Sequence, residues 1–238
     1  QEAPDQRFPT VSSPNPENPE ALAEAVKLMQ AENADLAYGT DPDTDRLGVV
    51  VRDNDSEVSL NGNQIGLLLL NYTLTQLQES GKLPKSPLFL KTIVSSPLMD
   101  KLAKSFGVQV ENTLTGFKWI NKRMNQLEED QPELEFVFAC EESFGYMTNN
   151  LVRDKDAISA ITCFSEMALW YKSRKMTVLK GLEEIYQKYG FSHEFNFSIN
   201  FEGVEGAKKI SRIMNRFREL EAAKWPGPLV AREDYLKG

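Results

Sequence analysis

From Asn63 to Gly190 the sequence alternates short apolar runs with longer stretches of helical period. That rhythm constrains the fold more than any other feature of the chain. GNQIGLLLLNYTLTQLQESG reads as a helix closed by Gly81. LFLKTIV (88–94) reads as a continuous apolar strand, after which Ser96 and Pro97 open a helix that stops at Gly107. VQVEN (108–112) is a strand and FKWINKRMNQLEE (117–129) a helix. LEFVFAC (134–140) is a strand with apolar residues on both faces, and DAISAITCFSEMALWYKSR (156–174) a long helix. Thr177 caps a further helix ending at Gly190. Strands that alternate with helices imply right-handed crossovers. The expectation is therefore an α/β fold, with mainly parallel mixed sheets and helices on both faces.

Upstream of this region the pattern differs. Asn18 is a good N-cap and Pro19 suits a first helical position; Leu22, Ala25, Val26 and Met29 share one face, so a helix is expected over 19–32. ADLAYGT and RLGVVVRD read as strands on either side of DPDTD. The link is too short for a helical crossover, which makes them hairpin neighbours. Downstream, FNFSINFEG reads as a strand and EGAKKISRIMNRFRELEAA as a helix with Ile210, Ile213, Met214 and Phe217 on one side. WPGPLVAREDYLKG reads as the beginning of a further domain.

Composition narrows the function classes. The 238 residues are 41% apolar and 26% charged, ordinary values for a globular protein. No apolar run approaches the ~20 residues that cross a bilayer, so no membrane partner is expected. A net charge of −8 without a basic patch argues against nucleic acid. Cys140 and Cys163 make neither a metal-site nor a disulfide pattern, and a reduced, cytoplasmic setting is the simplest reading. The chain opens on Gln1 and a proline-rich stretch, which reads as the interior of a longer protein.

In an open parallel sheet, ligands bind beyond the carboxyl ends of the strands. SSP, TLTGFK and EESFGY all leave strand ends here. TLTGFK offers the Thr113 and Thr115 hydroxyls, a backbone freed by Gly116, and Lys118 at a helix entry, which together suit an anion. EESFG offers carboxylates and a hydroxyl suited to the diol edge of a sugar. An anion seat beside a polyol reader points to a sugar phosphate.

The loop DPDTDR puts Asp41, Asp43 and Asp45 at alternate positions, followed at once by Arg46. Alternate residues of an extended loop can turn their oxygens onto one hard cation, and Mg²⁺ takes such oxygens. An EF-hand starting at Asp41 would need glycine and glutamate where Arg46 and Arg52 stand. A phosphatase with an aspartyl nucleophile often reads D-x-D-x-T, and the fifth residue here is Asp45; that alternative is weakened but stays open. An arginine beside a carboxylate cage suits a phosphoryl group held by metal and guanidinium together.

DPDTDR, TGFKW and EESFG, in that order and at these separations, resemble the α-D-phosphohexomutase family, and among its members the phosphoglucomutase branch. The NPENPEAL and RDKDA runs extend the resemblance over nearly the whole chain. It implies four domains around a cleft, in which a phosphoserine passes its phosphoryl group to one end of a hexose phosphate and recovers it from the other. It implies Mg²⁺ as cofactor, ligated by Asp41, Asp43, Asp45 and the phosphoserine, with Arg46 on the transferring phosphoryl group. Thr115 and Gly116 would read the sugar's orientation, and Lys118 would be an acid/base or phosphate contact. Glu141 and Ser143 would read the sugar hydroxyls and Lys155 would hold phosphate. Glucose 1-phosphate and glucose 6-phosphate are the leading pair, through glucose 1,6-bisphosphate; mannose or pentose phosphates are the alternative.

The family commonly has glycine where this chain has Pro42 and Thr44. No serine stands in a TASHNP-like context, and no arginine-rich phosphate loop follows. The resemblance therefore implies the later part of domain two (1–62), domain three (63–192) and an incomplete start of domain four (193–238). The chain alone is expected to be inactive, its partners being a sugar phosphate and the missing domains; a non-catalytic binding module is the third possibility. Several neighbours have plainer readings. Glu142 reads as helix-start charge, Trp119 as core, Cys140 as a small apolar filler, and His193 carries no role.

Overall fold

The computed structural model describes residues 5–54, 56–194, 199, 201–221, 224, 234 and 235. Asn18 accepts a hydrogen bond from the Glu20 amide and opens a 3₁₀ turn, Pro19–Leu22, that runs into α1 (Ala23–Ala31). The single helix expected over 19–32 thus has a tighter first turn, a common form at helix starts.

Strands β1 (Leu36–Thr40), β2 (Leu47–Asp53) and β3 (Ser56–Leu60) make an antiparallel sheet in that order. Thr40 pairs with Leu47, so the aspartate loop is the hairpin connection that the sequence predicts. Sequence reading does not anticipate β3: SEVSL is mostly polar and exposed, and only Leu60 is buried. Along β2 the side chains alternate. Leu47, Val49 and Val51 enter the large core, while Val50 packs with Leu22, Met29 and Ala37 on the opposite face.

Helix α2 (Gly62–Glu79) starts with a reciprocal capping box: Asn61 accepts from the Gln64 amide, and the Gln64 side chain accepts from the Asn61 amide. Leu67, Leu68, Leu69 and Leu70 are all fully buried, because the helix lies between the sheet and other helices. Burial of each such side chain contributes about 1.5–3 kcal/mol.

The chain then runs through β4 (Pro87–Thr92), α3 (Leu98–Ser105), β5 (Gln109–Thr113), α4 (Phe117–Asp130), β6 (Glu135–Glu141), β7 (Gly145–Met147), α5 (Ala157–Ser173) and α6 (Val178–Tyr189). The second sheet has the order β5-β4-β6-β7. Strand β4 is parallel to β5 and β6, and β7 returns antiparallel to β6. Three residues are too few to show a periodicity, which is why β7 escapes a sequence reading. Phe89, Phe138 and Cys140 face the core shared with α2, α3 and α5; Leu88, Leu90 and Ala139 face α4. The architecture is α/β, with one antiparallel and one mixed sheet, each packed on both faces.

Parallel pairing brings the ends of β4, β5 and β6, at Thr92, Thr113 and Glu141, to one edge of the sheet. Residues 1–193 form one unit and 194–238 another. In the second unit α7 (Gly203–Glu219) forms as expected, with Ile210, Ile213, Met214 and Phe217 exposed. The strand expected at FNFSINFEG lies largely outside the described residues, as does most of WPGPLVAREDYLKG.

Candidate active site

The aspartate loop is shaped by its own backbone. Asp41 Oδ1 accepts from the amides of Asp45 and Arg46, both at 3.0 Å, and the Thr44 amide donates to the Asp41 carbonyl at 3.1 Å. Thr44 takes a φ of +62°, a left-handed conformation that a β-branched residue rarely adopts. One oxygen from each of Asp41, Asp43 and Asp45 lies within 4.8 Å of the others. Oxygens around Mg²⁺, bound at ~2.1 Å, are separated by at most about 4.2 Å, so a small closure gathers all three.

The repulsion among these carboxylates has two answers. Arg46 Nε stands 3.6 Å from Asp41 and 4.0 Å from Asp45, while its other end pairs with Glu17 at 2.7 Å. Lys155 Nζ pairs with Asp45 Oδ2 at 2.7 Å. The second oxygen, Asp45 Oδ1, is buried and has no hydrogen-bond partner. A buried carboxylate oxygen left in this state suits a cation. Burial raises the pKa of Asp41, with the Asp45 carboxylate adding to the rise. For Asp45, burial acts upward too, but Lys155 and Arg46 outweigh it and the pKa is lowered. Burial would likewise lower the Lys155 ammonium, and Asp45 lifts it instead.

This loop meets the β6–β7 turn directly. The Leu47 amide donates to the Phe144 carbonyl at 2.9 Å, and Arg46 bridges to Gly145. Glu141, only 5% exposed, ends β6 and pairs in register with Gly145. A Cβ at Gly145 would lie 2.5 Å from Lys155 Cδ and 2.9 Å from both Glu141 Cγ and Oε1, so only glycine lets these two side chains approach across the turn. Burial raises the Glu141 pKa, against Lys155 and with Glu142. From the third segment, the Phe117 ring lies 5.7 Å from Lys155 Nζ. Lys155 therefore touches all three motif segments. The Ala157 amide, at the start of α5, donates to the Thr44 carbonyl at 3.1 Å and holds the helix against the loop.

Other expected residues stand further out. Gly116 is the N-cap of α4 with φ +104°, and Thr115 and Lys118 are exposed. Lys118 Nζ lies 5.3 Å over the Trp119 ring, with Lys122 at 5.4 Å. Trp119 is half-buried under these cations and belongs to no core cluster of the described residues, which corrects its assignment to the core. Ser143 is half-buried in the turn, two residues from Glu141.

The sequence of residues 61–189 matches the family described as phosphoglucomutase/phosphomannomutase, alpha/beta/alpha domain III, and residues 1–54 match domain II of the same description. The chain belongs to the phosphoglucomutase/phosphomannomutase family. It is 41% identical over 235 residues to the phosphoglucomutase of Staphylococcus aureus strain USA300, covering 98% of this chain and 41% of that protein. The chain thus spans less than half the length of that relative. Among solved structures, a phosphoglucomutase/phosphomannomutase family protein from Burkholderia thailandensis superposes with a TM-score of 0.58 at 18% identity, over 76% of this chain and 35% of the other. The open form of Paramecium parafusin gives a TM-score of 0.54 at 22% identity, over 75% and 30%. Both show likeness of fold.

Within the phosphoglucomutase/phosphomannomutase fold of this chain, one charged residue escapes a sequence reading and another is placed differently from it. Lys91 sits in the apolar run LFLKTIV, is only 2% exposed, and reaches Asp100 at 3.5 Å and the Ser95 carbonyl at 3.2 Å. A lysine inside a strand covered on both faces was the available signal. Glu142 is the other. It lies in the β6–β7 turn and accepts from Thr92 Oγ1 at 2.6 Å, so it is not helix-start charge. Cys140 is a buried filler as expected, its thiol pushed up by burial and 3.6 Å from the Met99 sulfur. Among the described residues no helix is long and apolar enough to cross a membrane.

Proposed function

We propose that this chain supplies the metal loop and the sugar-reading loop of a Mg²⁺-dependent phosphohexomutase that interconverts glucose 1-phosphate and glucose 6-phosphate, through a phosphoserine outside the chain and glucose 1,6-bisphosphate. The observation that carries the proposal is the junction at Lys155, 2.7 Å from Asp45 and packed against Gly145 opposite Glu141.

Asp41, Asp43 and Asp45 would hold Mg²⁺, an all-oxygen donor set that fits a hard cation. When bound, the ion neutralises charge on a phosphoryl group and aligns it for in-line transfer. Arg46 binds the same phosphoryl group through its guanidinium, exchanging its bond to Glu17 for two to phosphate oxygens. Lys155 holds a non-transferring phosphate. Glu141 and Ser143 accept from and donate to adjacent sugar hydroxyls. Thr115 and Gly116 line the entry where the sugar's orientation is read, and exposed Lys118 takes a phosphate or exchanges a proton there. Phosphoryl transfer depends on positioning and charge neutralisation, and here half the positioning groups belong to other domains. The chain alone is inactive on this reading.

The test is an assay of the full-length protein with Mg²⁺ and catalytic glucose 1,6-bisphosphate on glucose, mannose and pentose phosphates. Conversion of glucose 1-phosphate at the highest kcat/KM supports the reading. Conversion of none of them rejects it.

A further inference from the structure

Glu141 and Glu142 are neighbours with opposite surroundings. Glu141 faces Gly145 and Lys155, while Glu142 turns back beneath the sheet edge to the end of β4. There its Oε2 accepts from Thr92 Oγ1 at 2.6 Å, and Thr92 Oγ1 lies 2.8 Å from Ser95 Oγ. A hydroxyl has one proton, so if Thr92 donates to Glu142 it must accept from Ser95. Ser95 Oγ also lies 3.5 Å from Glu142 Oε2, so both hydroxyls converge on the one carboxylate. Thr92 is fully buried and Ser95 2% exposed. Behind them the Lys91 ammonium donates to the Ser95 carbonyl at 3.2 Å and pairs with Asp100 on α3 at 3.5 Å.

The same turn is clamped through its backbone. A Cβ at Gly62 would lie 1.9 Å from the Glu142 carbonyl oxygen, and Tyr146 Oη donates to the Gly62 carbonyl at 3.0 Å. The turn then passes through Phe144 at φ +66°. A left-handed phenylalanine persists only where its surroundings over-determine it. Apolar residues at 92 and 142 would fill this space without burying a carboxylate, and such replacements commonly cost little.

We infer that Glu142, anchored by Thr92 and Ser95, is a positioning residue that holds Glu141 and Ser143 in their sugar-reading orientation, with buried Lys91 fixing the anchor from behind. This rests on the mutase reading for what Glu141 and Ser143 contact. The hydrogen-bonded scaffold itself does not.

The test compares Glu142→Ala and Thr92→Val, which remove a partner, with Glu142→Gln and Thr92→Ser, which keep one, all in the full-length protein. KM for the hexose phosphate is expected to rise about tenfold in the first two, with Mg²⁺ affinity near that of the parent and the melting temperature lowered by the loss of a buried bond, and to stay within about twofold in the second two. In parallel, amide exchange at Ser143–Tyr146 should quicken about tenfold in Glu142→Ala and Thr92→Val alone, while Leu88–Leu90 stay protected. Unchanged KM and exchange would overturn the inference. So would losses in all four variants that track a lowered melting temperature. If the unmodified protein converts no sugar phosphate, the mutase reading fails, and the exchange pattern by itself decides the positioning claim.

Discussion

Lys155 Nζ lies 2.7 Å from Asp45 Oδ2, and this one ion pair ties the segment before α5 to the hairpin loop between β1 and β2. Its neighbours are Glu141 across Gly145 and the ring of Phe117, so the ammonium sits where three distant stretches of sequence converge. Replacing it with an apolar side chain of similar length, Lys155→Met, leaves Asp45 partly buried with only Arg46, 4.0 Å away, to offset its charge. A loss of roughly 1–3 kcal/mol is expected by urea denaturation, less than for a fully buried pair because both partners keep some solvent. Mg²⁺ should restore more stability to this variant than to the parent, since the site has become more negative.

Gly145→Ala places a methyl within 2.9 Å of both Lys155 and Glu141 side chains. Overpacking of this kind costs about 1–3 kcal/mol. The fold should survive, as judged by circular dichroism, while sugar-phosphate binding by the full-length protein is lost.

Thr44 at φ +62° carries the strain of a left-handed β-branched residue, about 1–2 kcal/mol. Thr44→Gly relieves that strain and in return frees the unfolded chain by roughly 0.5–1 kcal/mol. The net expectation is a gain of about 0–1.5 kcal/mol, read as a rise in the urea midpoint at unchanged slope.

Glu141 gives a pH signature. Burial raises its folded pKa above the ordinary 4.5. Stability from this group is fully present below 4.5 and is lost as pH rises through the raised folded value. Glu141→Gln keeps the shape and removes the charge. It should therefore be the more stable protein at neutral pH, with a flatter stability–pH curve above 4.5, and should lose sugar binding. Thermal melts from pH 4 to 8 check both.

Much of this was legible in the residues themselves. Asp156 accepts from the Ile158 and Ser159 amides as an N-cap should, Thr177 caps α6 through the Lys180 amide, and continuous apolar runs marked β4 and β6. The aspartate loop announced itself by its spacing. What stayed hidden has physical causes. Strand β3 is polar because it lies at the sheet edge, and β7 is too short to show a period. Lys91 disappears in an apolar run because its compensation, Asp100 and the Ser95 carbonyl, comes from outside the strand. The sequence misplaces Glu142 because its partner, Thr92, is close only once β4 and β6 lie side by side.

The central proposal is that Asp41, Asp43 and Asp45 hold a divalent cation beside the β6–β7 turn. Crystals grown with Mn²⁺ as a surrogate for Mg²⁺ test it most directly through anomalous scattering. The account predicts one strong peak within about 2.2 Å of an oxygen from each of the three aspartates, abolished by Asp43→Asn. No peak there at saturating Mn²⁺, or a peak held by other residues, would contradict it.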